Sequence, residues 1–176
     1  WLAPRAMREH LAAVYAFCRT VDNPGDEGWV LEGRSNGTAG TAERIALLDR
    51  FEAELDRAYA GDPQHPIFVA LRPTIERFDL PRDLFARLIE ANRMDQRAER
   101  HATFADLLRY CDHSATPVGR LVLMLYGRRD DEEFALSDAT CIGLQLANFW
   151  QDVKRDYSIG RVYLPQDEMA EHGVRD

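Results

Sequence analysis

The stretch 145-QLANFWQDVKRDYSIGRVYLP-165 decides how the rest of the chain is read. On a helix, Asn148, Asp152 and Asp156 stand at i, i+4 and i+8, so all three point one way, with Gln145 just above them. Like charges at that spacing cost roughly 0.2–0.5 kcal/mol per pair, and a helix needing only a solvated face more often alternates its signs. A lone acid pair of this kind is usually plain surface. Here Phe149, Trp150 and Val153 make the flanks apolar, so the acids border a buried region. Asn and Asp supply hard oxygen ligands, which suit Mg²⁺ and not the thiolate and imidazole chemistry of zinc. Mg²⁺ keeps several waters and commonly binds through one or two carboxylates plus phosphate oxygens. Two carboxylate pairs on facing helices would therefore clamp a diphosphate.

The second pair is sought in 18-CRTVDNPGDEG-28, where Asp22 and Asp26 are again four apart. Pro24 and Gly25 lie between them. An interior proline costs roughly 3 kcal/mol and a glycine roughly 1 kcal/mol, and Pro24 biases Asn23 away from the α region. The expectation is regular helix to about Asp22, a break from Asn23 to Gly25, and an Asp26 looser than Asp22. The two acid pairs should then face each other across one apolar cavity.

Helical periodicity runs through the remainder. Leu11, Val14, Cys18 and Val21 share a face, as do Ile45, Leu48, Phe51, Leu55 and Tyr59. A third run, Ile67, Leu71, Ile75 and Phe78, ends before Pro81, and a fourth covers about 82–97 with Leu84, Leu88 and Ala91. Thr103 reads as the N-cap of 104–112, with Asp106 as acidic partner in the first turn. Pro117 starts a helix over 117–127, where its missing N–H costs nothing. Ser137 or a neighbour opens the long helix that reaches about Tyr157. No segment alternates with period 2, so the class is all-α. The segment 28-GWVLEGRSNGTAG-40, with four glycines in 13 residues, reads as a mobile loop within one domain spanning 1–176.

The 176 residues are 45% hydrophobic and 30% charged, with a formal net charge of −8. That balance excludes a nucleic-acid surface, which needs a basic face. Cys18, Cys111 and Cys141 have no metal-ligand spacing and read as small core residues in a reducing, cytoplasmic setting. The longest uncharged apolar-rich run, 139–151, is far short of the roughly 20 residues of a membrane span. Peripheral contact at the inner face of a membrane, for product release, is left open, as is the oligomeric state. The chain opens at Trp1 without an initiator methionine, so a segment trimmed at both ends is expected.

Three motifs together resemble the squalene/phytoene synthases: 15-YAFCRTVDNPGDE-27, 110-YCDHSATPVGRLVL-123 and the opening 145–165 stretch. The resemblance implies the isoprenoid synthase fold, a helical bundle around a central prenyl-diphosphate cavity. Members continue for several helices beyond Y-L-P, so the pocket's C-terminal helices are expected to be missing. It implies that Asp22, Asp26, Asp152 and Asp156, helped by Asn148, bind Mg²⁺ and through it the substrate diphosphate. Arg19 and Arg161 match residues that contact the diphosphate, with Tyr163 beside them, and Tyr15 and Gln145 join the substrate-binding set. Tyr110 matches a tyrosine proposed as acid/base near the leaving group. Ala115, Val118 and Gly119 match a small-residue bend that lets the prenyl chain pass close to a helix. Loss of diphosphate leaves a carbocation, and Phe17, Tyr110 and Phe149 are the aromatics proposed to wall it.

Four departures from the family pattern stand out: Asn23 for a second aspartate, Pro24 and Gly25 for helix formers, His101 for tyrosine, and Gln151 for arginine. Gln151 and its N-F-W-Q-D-V context look most like the bacterial hopanoid branch, whose members convert presqualene diphosphate to hydroxysqualene. The expected activity is of that type. A phytoene or presqualene diphosphate synthase is the alternative, and a non-catalytic lipid-binding or assembly relative is the non-enzyme one.

Overall fold

The structure, a computed structural model, describes residues 3–22, 40–97 and 100–175. After a single 3₁₀ turn come eight α-helices: α1 Arg8–Asp22, α2 Thr41–Ala60, α3 Pro66–Phe78, α4 Arg82–Gln96, α5 Phe104–Ser114, α6 Thr116–Leu125, α7 Asp131–Ser158 and α8 Gln166–Glu171. No strand occurs among the described residues. Asn23, Pro24, Gly25 and Asp26, and the glycine-rich segment up to Gly40, lie outside them.

Local chemistry sets the helix ends. Thr103 and Asp106 form a reciprocal capping box at the start of α5, which satisfies two otherwise orphaned N–H donors. Between α2 and α3, Gly61 takes φ 94°, and the Glu54 carboxylate accepts from the N–H groups of Gln64 and His65 at 2.8 and 2.7 Å. The α5–α6 junction is a one-residue break at Ala115, and Pro117 follows in the first turn of α6, where it gives up no hydrogen bond. Arg87 of α4 braces this break by donating to Thr116 Oγ1 at 2.8 Å and pairing with the Asp112 carboxylate at 2.8 Å.

The long helix begins earlier than the sequence pattern suggests. Its N-cap is Asp130, whose side chain accepts from Glu132 N and Glu133 N, and Ser137 lies within α7. Three acids in the first turn, Asp131, Glu132 and Glu133, favour that end of the helix dipole and extend it. The short α8 carried no apolar repeat in the sequence and was not foreseen.

The main core joins α1, α2, α3, α4 and α6. Phe17 sits at its centre, fully buried, with ring edges meeting Phe68 at 5.7 Å and Phe85 at 5.0 Å. It is therefore core packing and not the cation-facing wall expected of it: Val14, Phe17 and Val21 form the inward stripe of α1, and Arg19 and Asp22 occupy the adjoining face. A smaller cluster of Ala91, Leu107, Tyr110, Cys111 and Phe149 lies between α4, α5 and α7. Burial pushes the Cys111 thiol up to about 11, and burial followed by Asp22 pushes Cys18 up to about 12, so both behave as inert core groups.

The seam between α6 and α7 fixes where the acidic helix lies. A Cβ on Gly119 would stand 2.4 Å from Ser137 Oγ and 2.6 Å from Cys141 Sγ. Beside it, Arg120 makes a bidentate pair with Asp138 (Nε to Oδ1 3.0 Å) and lies over the Phe134 ring at 5.3 Å. Gly119→Ala should overpack this seam and destabilise by about 1–3 kcal/mol, read as a lower urea midpoint. Adding Ser137→Ala and Cys141→Ala should restore most of the loss, because both clashing atoms are then gone. A Gly119→Ala protein as stable as the parent would show that the contact is soft.

Candidate functional site

The C-terminal ends of α1 and α4, the middle of α5 and the second half of α7 converge on one cavity of about 340 Å³. Four carboxylates line it: Asp22, Asp95, Asp152 and Asp156. Three guanidiniums, Arg19, Arg155 and Arg161, and three amides, Asn92, Gln145 and Asn148, stand among them, with Tyr110, Phe149 and Tyr163.

Each side chain is placed by its element. α7 is one unbroken helix, so Gln145, Asn148, Asp152 and Asp156 project from a single face. At its end Gly160 takes φ 79° and Arg161 N returns to Asp156 O at 2.8 Å. That left-handed turn, favourable for glycine, reverses the chain and carries Arg161 and Tyr163 back over the cavity. The tail is then pinned: Gln166 N and Asp167 N donate to the carbonyls of His101 and Ala102 at 2.9 and 3.2 Å. The Tyr163 ring stacks on Phe149 with centroids 4.1 Å apart and planes 13° apart. His101, buried, stacks on Tyr163 at 6.1 Å and lies tilted against Tyr110 at 5.4 Å.

α4 contributes two residues that the sequence reading passed over. Asn92 Nδ2 donates to Asp22 Oδ1 at 3.1 Å and to Leu88 O at 3.0 Å, holding the α1 acid in place. Asp95 accepts from Tyr110 Oη at 2.9 Å and from Tyr163 Oη at 3.0 Å. The signal was present: Leu84, Leu88, Ala91, Asn92 and Asp95 continue one helical stripe, and a polar pair within an apolar stripe needs partners.

Electrostatics follow the crowding. Burial raises Asp95 above the ordinary carboxylate range, against the pull of Arg161 and the two phenols. Burial and then the Asp152 charge raise Asp156, with Arg161 and Arg155 opposing. Tyr110 and Tyr163 are both pushed up, chiefly by burial and then by Asp95, so each keeps its proton. Arg155 approaches Asp152 only at 4.0 Å.

The structure thus brings Asp22, Asp152, Asp156, Asn148, Gln145, Arg19, Arg161, Tyr110 and Tyr163 together. Asp26 lies outside the described residues. Tyr15, Val118 and Gly119 are not on this cavity. Tyr15 on α1 is 66% exposed, Val118 on α6 is 37% exposed, and Gly119 is turned toward α7. The expectation of an apolar cavity between the acids is also corrected, because the surface they share is predominantly polar. Apolar space lies next to it, in a pocket of about 90 Å³ lined by Val153, Tyr157, Val162, Leu164, Met169 and Val174. Phe149, Asp156, Arg161 and Tyr163 line both spaces.

The donor set fits Mg²⁺, since every ligand on offer is a carboxylate or amide oxygen. Among the described residues, no three His, Cys, Asp or Glu side chains form a ready cage for an ion. Diphosphate oxygens and water would complete the coordination, the ordinary arrangement for this cation. No helix among the described residues is long and apolar enough to cross a membrane.

Comparison with known proteins agrees with this geometry. The family model for squalene/phytoene synthase matches residues 1–176. The 15-cis-phytoene synthase of Synechococcus elongatus is 34% identical over 182 residues, covering 97% of this chain and 56% of the relative. The crystal structure of squalene synthase HpnC from Alicyclobacillus acidocaldarius superposes with a TM-score of 0.85 at 48% identity, covering 98% of this chain and 61% of the other. A dehydrosqualene synthase solved with a ligand gives 0.81 at 27% identity, with 98% and 56% covered. The chain therefore spans a little over half the length of these relatives, and its fold is the all-α isoprenoid synthase fold.

The raised Asp156 carboxyl has a consequence for stability. Its proton is bound more tightly in the folded state, so its contribution is fully present below the unfolded pKa of about 3.9. That contribution declines as pH rises through the higher folded value. Asp156→Asn removes this penalty. Its urea midpoint relative to the parent should rise between about pH 4 and pH 7; a difference independent of pH would contradict the crowding of Asp152 and Asp156.

Proposed function

The chain belongs to the squalene/phytoene synthase family, and from that premise we propose that the whole protein is a Mg²⁺-dependent head-to-head isoprenoid synthase of the hydroxysqualene-forming type. It would ionise presqualene diphosphate. The observation that carries this reading is the shared cavity: carboxylates from α1 and α7 face it together with three arginines, and stacked aromatic rings form its wall.

The residues divide the work by charge. Asp152, Asp156 and Asn148 from α7 and Asp22 from α1 are the oxygen donors that would hold the metal. Bound there, Mg²⁺ supplies positive charge to the diphosphate oxygens and makes them a better leaving group. Arg19, Arg155 and Arg161 offer planar, bidentate donors to the same anion. The Phe149–Tyr163 stack and the Tyr110 ring present π-faces, which attract a cation. In the reaction proposed, diphosphate leaves with its bonding electrons, one water adds to the carbocation, and a proton is released, giving the C30 alcohol.

Two features favour this branch over phytoene formation: Gln151 with its N-F-W-Q-D-V context, and the likeness to a squalene synthase at 48% identity. The phytoene synthase reading is the second, supported by relatives such as the one 34% identical. A cytoplasmic setting is part of this reading, supported by three cysteines without a disulfide.

The test is to incubate the whole protein with presqualene, farnesyl and geranylgeranyl diphosphates, each with and without Mg²⁺ and NADPH. An oxygen-containing C30 product from presqualene diphosphate, dependent on Mg²⁺ and independent of NADPH, is expected by mass spectrometry. Phytoene alone, or squalene formed only with NADPH, overturns the assignment. Asp152→Ala should reduce turnover by at least about 10³-fold while the melting temperature stays level or rises, since a like-charge repulsion is relieved. Loss of helicity together with activity would make the acid structural.

A further inference from the structure

The two tyrosine hydroxyls on the cavity are committed in a way that fixes what they can offer a ligand. A phenol carries one proton. Tyr110 donates its proton to Asp95 Oδ2 at 2.9 Å, and Tyr163 donates its own to Oδ1 of the same carboxylate at 3.0 Å. With both protons turned toward α4, the two oxygens can present only lone pairs to the cavity they line.

We infer that Asp95 is a positioning residue: by taking both phenolic protons it makes the Tyr110–Tyr163 wall an electron-rich surface that serves the carbocation and not the diphosphate. This rests on the proposed isoprenoid synthase reading. It assigns Tyr110 a different job from acid to the leaving group, because its only proton is already held by Asp95.

The surroundings agree. The rings of Tyr110, Phe149 and Tyr163 lie at centroid distances of 4.1–6.0 Å, Phe149 stacked on Tyr163 and Tyr110 tilted against both, and all three line the cavity. The positive groups that suit a diphosphate, Arg19, Arg155 and Arg161, come from α1, the end of α7 and the turn after it. Asp95 itself is faced by Tyr110 from α5, by Tyr163 and Arg161 from the tail, and by Asp22 from α1. Arg161 opposes the rise that burial imposes on Asp95, and each oxygen of that carboxyl group accepts from one phenol. Arg161 thus acts on Asp95 and Tyr163 as well as on Asp156 of α7.

Two unreactive probes separate the two charges: a farnesyl thiolodiphosphate, which carries the anion without ionising, and a farnesyl tertiary amine, whose ammonium mimics the carbocation. Binding is measured on the whole protein with Mg²⁺ and inorganic diphosphate present for the amine. Asp95→Asn keeps shape but must donate an N–H to one tyrosine, turning that phenol's proton into the cavity. The amine should bind about tenfold more weakly, a loss of about 1.4 kcal/mol, with the thiolodiphosphate within about twofold. In a Tyr110→Phe/Tyr163→Phe background, adding Asp95→Asn should change amine binding no further, because the carboxylate acts through the phenols.

Equal weakening of both probes would mean a general structural role and overturn the inference. So would weakening of the thiolodiphosphate alone, or an additive effect in the double-Phe background. Should Asp95→Asn fail to fold, Tyr163→Phe with Asp95 intact carries the same comparison: selective loss of the amine supports the inference and equal loss overturns it. A parent protein that binds neither probe would instead bring down the isoprenoid reading on which the inference rests.

Discussion

Everything about this bundle answers to one electrostatic constraint: four carboxylates share a single cavity. Each must be compensated or remain at cost. Asp22 is held by the Asn92 amide and Asp95 by two phenols. Asp152 has a guanidinium at 4.0 Å, and Asp156 is pushed above its ordinary range by burial and by Asp152. Asp22 and Asp95 accept from neutral donors, and burial still raises Asp95. Asp152 and Asp156 stand one turn apart on α7, at the spacing that suits a shared cation.

Holding that pair in place demands a rigid α7, and the rest of the chain supplies it. Close approach at Gly119 and the Arg120–Asp138 pair lock its first half onto α6. Phe149 seats its second half in the small cluster with Leu107, Tyr110 and Cys111. Beyond Gly160 the described residues hold the short α8, and two backbone hydrogen bonds to His101 and Ala102 tie this segment down. Tyr163 therefore owes its position to the residues just before α5. A rigid helix and a pinned tail, different in kind, converge on the same few ångströms.

Much of this was legible in the sequence. Period 3.6 gave α1 to α6 to within a few residues but not α8, and the one-sided run Asn148, Asp152, Asp156 gave the acidic face, because helix geometry alone dictates it. What escaped depends on packing between elements. Asp95 and Asn92 are ordinary polar residues until α5 and the tail are folded against them. Phe17 looked available to a ligand, but its stripe with Val14 and Val21 faces the core. Gly119 reads as a bend residue in sequence and proves to be a helix-to-helix contact. The start of α7 was missed because Asp130 caps it among other acids, where no apolar repeat marks the boundary.

The arrangement of space carries the argument one step further. The polar cavity of about 340 Å³ and the apolar pocket of about 90 Å³ are neighbours divided by the Phe149–Tyr163 stack. Asp156 and Arg161 belong to both linings, so the divide is a change of chemistry along one continuous surface. A prenyl diphosphate has the same division within itself, an anionic head joined to a hydrocarbon chain at the carbon that ionises. Placing the aromatic stack at the boundary puts π-faces where that carbon would lie. On the proposed reading, charge separation would occur along this shared lining, where Arg161 and Asp156 stand beside the Phe149 and Tyr163 rings. A surface wholly polar would hydrate the cation, and one wholly apolar would not release the anion.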